Sequence, residues 1–535
     1  MSERVHIYDT TLRDGMQREG LSLSVGEQLQ VALRIAEFGV EYLEAGFPAS
    51  NPKYGELFGL LEREDLGRTR LAAFGMTRRR HSAPGDDPAM RGLVESFAPV
   101  VTIVGKTWDL HIEKVTRVTR EENLRMIEES VAFLVGQGKE VVYDAEHFFD
   151  AYAAHPGYAI DCLRAAESGG AAWITPCDTN GATLPTRVAA VMREVRAALP
   201  GAALGIHTHN DAECGVANSL AAVDEGARLV QGTVNGYGER CGNANLVSII
   251  PALTFKMGYE VLDPDRLAEL TALSNFVAET ANLQPDAWAP YVGMNAFAHK
   301  GGMHQQGMNA DVRTYEHVDP ASVGNERRVL VSELSGRGTI LAKARELGVD
   351  LEEEPERVPA ILARLKELEH RGYHFEVADG SFELLLERET GVYEPLFTLE
   401  SFRVITEKRA DGRVETEATV KVAHEGERLV ATAEGNGPVN ALDAALRAAL
   451  EPRVPALRDI QLVNFKVRIL DETKGTGAVT RVLLDSSDGH ETWGAIGVSE
   501  NVIEASWEAL LDSLEHGVRR LASERAQAAP AAPAG

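Results

Sequence analysis

The residues best suited to chemistry are His207 and His209, in the stretch Gly205-Ile-His-Thr-His-Asn-Asp211. They close an apolar run, Ala202-Ala-Leu-Gly-Ile206, that reads as a short buried strand. Residues i and i+2 of a strand face the same side, about 6–7 Å apart, so both imidazoles can converge on one ion. One histidine at a strand end is more often structural. Two at this spacing, followed by Asn210-Asp211, point to a metal site. A second group is Tyr8-Asp-Thr-Thr-Leu-Arg-Asp-Gly-Met-Gln-Arg-Glu19, where a strand ending at Leu12 is followed by Arg13 and Asp14. One carboxylate and two imidazoles would leave a divalent cation open positions for a substrate. The alternative is a merely local Arg13–Asp14 ion pair.

The third group is Asn235-Gly-Tyr-Gly-Glu-Arg-Cys-Gly-Asn-Ala-Asn245. Its glycines allow close backbone approach, and the helix start after it favours an anionic group. Gly236, Gly238, Glu239, Arg240 and Asn243 are therefore its candidate cofactor-binding residues, with Asn243 also a candidate metal ligand. Cys241 has no base adjacent in sequence and reads as small filler.

Elements must bring these groups together. Strand-like segments at 5–12, 41–47, 70–76, 99–105, 140–147, 172–178, 203–209 and 229–235 alternate with amphipathic ones such as Ser24–Phe38, Thr119–Gly136, Pro156–Ser168 and Leu184–Leu199. Eight buried strands in some 250 residues predict an α/β fold, a (β/α)8 TIM barrel over 1–258, with its active face at the C-terminal strand ends. In a closed barrel one strand separates the first from the seventh, so Asp14 can reach the ion of His207 and His209. Residues 259–396 read as helical linker subdomains. From 397 to 518 the period changes to two, in Leu399–Thr406 and Glu415–Ala423. The turn Gly435-Asn-Gly-Pro438 then starts a helix, and a second round of strands and helix follows, predicting an α+β domain built by duplication. Residues 519–535, ending in an Ala/Pro run, read as a disordered tail.

With 81 acidic and 54 basic residues the chain carries a net charge of −27, which argues against nucleic-acid or anionic-membrane partners. Four scattered cysteines, a start without a signal peptide and no apolar run near ~20 residues predict a cytoplasmic protein.

The motifs Thr10-Thr-Leu-Arg-Asp-Gly15, His207-Thr-His-Asn-Asp211 and Gly238-Glu-Arg-Cys-Gly-Asn-Ala-Asn245 resemble the 2-isopropylmalate synthase/homocitrate synthase/citramalate synthase family. The likeness continues through Ala296-Phe-Ala-His-Lys-Gly-Gly-Met-His-Gln-Gln306, His317–Gly324, Ser332–Gly336 and the regulatory-like region 397–517. Thr11–Gly20 and Arg371–Glu383 look most like the citramalate synthase branch. The resemblance implies metal-dependent Claisen condensation of acetyl-CoA with a 2-oxo acid. Pyruvate would give (R)-citramalate and CoA, a first step toward isoleucine. The alternatives are 2-oxoisovalerate, for leucine, and an acyl-CoA lyase of the same barrel superfamily.

It further implies Asp14, His207 and His209 as ligands of Mg2+ or Mn2+, with Zn2+ or Co2+ as alternatives. Arg13 would stabilise charge at the attacked carbonyl, and Tyr143 and Thr179 would bind substrate. Glu146, His304 and Tyr315 would be the remaining catalytic residues. Structural readings compete for two of these: Glu146-His147 as a strand-end pair, and the Gly-rich segment around His304 as a plain loop. A homodimer and an amino-acid effector, isoleucine, complete the expectation. Pocket side chains should come from Phe47, Phe74, Met76, Val104, Tyr143 and Asp144.

Overall fold

The computed structural model describes residues 3–48, 50–299, 302–329, 340–341, 344–345, 351, 356–470, 475 and 477–528. Eight parallel strands close into a barrel: β1 (His6–Asp9), β2 (Tyr42–Glu44), β3 (Arg70–Met76), β4 (Val100–Lys106), β5 (Glu140–Glu146), β6 (Trp173–Asp178), β7 (Gly205–Thr208) and β8 (Leu229–Gly232). Closure is explicit, because β1 pairs with both β2 and β8. The amphipathic segments form helices at Val25–Phe38, Arg120–Gly136, Pro156–Gly169 and Pro185–Ala198. The first has a full capping box between Ser24 and Glu27, worth about 1 kcal/mol.

Strand alternation sorts the barrel residues. Tyr8, Tyr42, Ala72, Val100, Val142 and Leu229 form one buried cluster against Trp173. Their strand neighbours Ile7, Leu43, Leu71, Val101, Val141 and Val230 belong to the large core shared with the helices. The interior is thus apolar at the base, and two positions on toward the mouth come the polar Glu44, Thr102, Asp144 and Gln231, with Phe74 the apolar exception on β3.

The chain divides into two compact units, Met1–Phe297 with Glu316–Arg327, and Ala298–Tyr315 with Arg328–Gly535. These do not coincide with the sequence boundaries at 258/259 and 396/397. In the first unit, Leu270–Thr280 packs on Val25–Phe38 and continues the barrel's core.

In the second unit, β9 (Ala298–His299) pairs with β10 (Arg328–Val329). Two antiparallel three-stranded sheets follow. The first is β11 (Thr398–Lys408), β12 (Val414–His424) and β13 (Glu427–Gly435); the second is β14 (Gln461–Ile469), β15 (Thr480–Ser487) and β16 (Thr492–Ser499). Each sheet is followed by a helix, Pro438–Leu450 or Val502–Ala528, so the duplication is real. Periodicity missed β13, whose inner face is only half buried.

The helices Arg357–His370 and Asp379–Thr390, expected in a separate linker, share a core with Ile496 and Val498 of β16. The tail expected from 519 is corrected as well: the last helix runs to Ala528. Arg519 and Arg520 anchor it by ion pairs to Glu387 and Glu491, and Leu521 packs on the core. Residues 529–535, Ser332–Gly336 and the acidic stretch 352–355 lie outside the described residues.

Candidate metal centre and active site

Strand β1 stops at Asp9, and a turn in which Asp14 N donates to Thr10 O carries Asp14 over the barrel mouth. His207 lies on β7 and His209 just beyond it. Asp14 Oδ2 is 3.3 Å from His207 Nε2 and 3.9 Å from His209 Nε2, and the two Nε2 atoms are 3.2 Å apart. All three side chains are buried. Burial alone would raise the Asp14 carboxyl, but Arg13 and the two imidazoles outweigh it and hold it far below the usual range. Burial also opposes charge on both imidazoles. Contact with Asp14 raises His207 in spite of it, whereas His209, facing His207, falls to about 3.

The donor set suits a divalent cation, because an ionised carboxylate and two imidazole nitrogens converge within 4.8 Å of one another. Asn243 is tied to His209 by an isolated backbone bridge, and its Nδ2 donates to Tyr237 O at 3.1 Å. Among the described residues its buried Oδ1 has no hydrogen-bond partner, which leaves an acceptor of the kind a further ligand requires.

A pocket of about 360 Å³ opens over this cluster. Charged and polar groups of the barrel line it, among them Arg13, Lys106, Asp144, Glu146, Thr179 and Glu239. Phe47, Phe74, Met76 and Val104 supply its apolar wall. Arg13 Nε contacts Glu44 Oε1 at 2.5 Å, Nη1 lies 3.4 Å from Asp14 Oδ2, and the guanidinium stacks 4.1 Å over Phe74. Lys106 is ion-paired with Glu146. Thr179 Oγ1 accepts from His147 N at 2.8 Å, which sets its direction at the end of β6. Burial pushes Asp144 up to about 7.

Tyr143 is fully buried in the core shared with the helices and does not line the pocket. Strand alternation is the reason: Val142 and Asp144 on either side face inward, so Tyr143 faces outward. His304 and Tyr315 belong to the second unit, where their rings stack at 4.1 Å between centroids.

The loop glycines serve close packing within the loop itself. A Cβ on Gly238 would lie 2.2 Å from Asn243 Nδ2, and one on Gly242 would lie 2.1 Å from Gly236 O. Arg240 is engaged by both carboxylate oxygens of Asp211, at 2.7 and 3.0 Å, and by Thr179 O at 2.8 Å. It therefore clamps the loops after β6, β7 and β8 together.

Sequence reasoning missed Gln231, whose signal was a lone amide in the apolar run Leu229-Val-Gln-Gly232. It also missed a second group of potential ligands, His111, Glu146 and His147, in which Glu146 already pairs with Lys106.

A closed barrel with an Asp–His–His cluster at its C-terminal mouth defines a class. Residues 4–277 match the HMGL-like family, 291–373 match the homocitrate synthase post-HMGL domain-like family, and 376–518 match the LeuA allosteric (dimerisation) domain. The chain is 47% identical to an (R)-citramalate synthase of Aquifex aeolicus, over 96% of this chain and 98% of that protein. It is 49% identical to one of Geobacter sulfurreducens, with the same coverage. A 2-isopropylmalate synthase of Pyrococcus furiosus is more distant, 32% identical over 97% of this chain and all of that protein. The chain belongs to the citramalate synthase family.

Proposed function

We propose that the protein catalyses the metal-dependent condensation of acetyl-CoA with pyruvate to (R)-citramalate and CoA. The observation that carries this reading is near-full-length identity to (R)-citramalate synthases, with Asp14, His207 and His209 converging at the barrel mouth. A bound divalent cation would polarise the 2-oxo acid carbonyl as a Lewis acid. Arg13, held rigidly by Glu44 and Phe74, supplies fixed positive charge to the oxygen that becomes an alkoxide. Thr179 donates to the substrate carboxylate. Glu146, on the pocket wall and ion-paired with Lys106, takes the proton from the acetyl methyl group. His304 and Tyr315 are assigned to proton transfer by the family resemblance.

The second unit carries the regulation. A cavity of about 720 Å³ lies where Asn436–Asn440 meet Asp443, Arg447 and β14. Asp443 and Arg447, 2.9 Å apart, offer one charge for each end of an amino-acid zwitterion, and isoleucine is the proposed ligand. The edge strand β14 exposes Val463, Phe465, Val467 and Ile469, a surface suited to a homodimer. Among the described residues no helix is long and apolar enough to cross a membrane, in keeping with a cytoplasmic enzyme.

The test is CoA release from acetyl-CoA with pyruvate, 2-oxobutanoate, 2-oxoisovalerate or 2-oxoglutarate, with Mn2+ or Mg2+ and an EDTA control. Metal-dependent release strongest with pyruvate is expected. Preference for 2-oxoisovalerate would move the protein to the leucine branch, and no release with any acid would overturn the reaction.

A further inference from the structure

His207 turns Nε2 toward Asp14 and His209, and its other ring nitrogen is also engaged. Nδ1 lies 2.9 Å from Gln231 Oε1, and Gln231 Nε2 donates to Asp144 Oδ1 at 2.8 Å. His207 and Gln231 are register partners on β7 and β8, while Asp144 reaches them from β5 through the barrel interior. All three side chains are buried. A primary amide has one accepting and one donating end. Because Asp144 takes the donating end, the accepting end must face His207. Nδ1 therefore carries the ring proton, and the Nε2 lone pair is left facing the other two ligands.

We infer that Asp144 and Gln231 are positioning residues that set the tautomer and ring orientation of His207, so that its Nε2 is ready for a divalent cation. Simple core filling does not explain the pair. Buried polar groups are costly unless fully hydrogen-bonded, and one layer lower the same strands use Val142 and Leu229. Partners of this kind behind a ligating histidine govern metal affinity. The chain of bonds also joins the metal centre to the pocket wall, since Asp144 lines the pocket.

The inference rests on the metal reading above, and its test separates the two. Full-length protein freed of metal by chelation is titrated with Mn2+ alone, and free Mn2+ is followed by electron paramagnetic resonance. Wild-type protein that binds no Mn2+ would overturn the metal reading itself. Given wild-type binding, Gln231→Met should weaken affinity about 10- to 100-fold without lowering the melting temperature of the metal-free protein. The decisive variant exchanges polarity at constant volume, Asp144→Asn with Gln231→Glu. The amide at 144 then donates to the carboxylate at 231, which accepts the Nδ1 proton of His207. That double variant should recover Mn2+ affinity to within a few-fold of wild type, and it carries the test even if Gln231→Met folds poorly. Unchanged affinity in Gln231→Met, or a polarity swap that binds no better than Gln231→Met, would overturn the positioning role.

Discussion

The barrel mouth and the cavity of the second unit are built on opposite principles. At the mouth, Asp14, His207, Asp144 and Gln231 are nearly inaccessible, and each is held by named partners across several strands. In the second unit's cavity a helix start, the charged side chains Asp443, Arg447, Glu451 and Arg458, and an edge strand surround twice the volume. Chemistry needs charge held in place before the substrate arrives. A regulatory site must instead respond, so its ligand has to supply contacts the empty domain lacks.

Mutations can break this contrast. Asp14→Asn or His207→Ala removes a ligand from the rigid site, and turnover should fall at least ~10³-fold, since the cation contributes several kcal/mol. Near-normal initial rates in either variant would abolish the metal assignment. Glu146→Gln should cost ~10²–10⁴-fold in kcat, with a smaller change in the KM for pyruvate. A loss confined to KM would mean that Glu146 binds substrate and does not move a proton.

The regulatory side should lose response while keeping catalysis. Asp443→Asn should raise the inhibitory isoleucine concentration about tenfold or more, the worth of one charged hydrogen bond, at unchanged kcat. Truncation after residue 395 should abolish inhibition too. Phe375 and Phe382 would then lose Ile496 and Val498 from their shared core, so a lower melting temperature should accompany it. The smallest effects belong to residues outside both sites. Cys241→Ser should leave kcat/KM within about twofold, as surface changes do. Tyr143→Phe removes a buried hydroxyl with no hydrogen-bond partner among the described residues, and activity and melting temperature should hold or rise slightly.

The division between sites also explains which residues could be read from sequence. His207 and His209 were legible because a strand puts i and i+2 on one face, and Asp14 because a closed barrel brings its first and seventh strands close. Gln231 was not legible, since its partners His207 and Asp144 lie 24 and 87 positions away. Tyr143 and Asp144 are sequence neighbours, and both suit a substrate pocket by residue type. Only the phase of β5 relative to the barrel axis decides that Asp144 faces the pocket and Tyr143 the helices.

The sequence by itself determined the eight-strand barrel, the duplicated C-terminal domain, the convergence of Asp14, His207 and His209, and the family. Hydrophobic periodicity and short motifs are local properties of a chain, so they survive without coordinates. Tertiary structure alone decided which side of each strand faces the mouth, which partner orients His207, and how Arg240 ties three loops together. These depend on contacts between residues far apart in the chain, which form only when closure of the barrel brings their strands side by side.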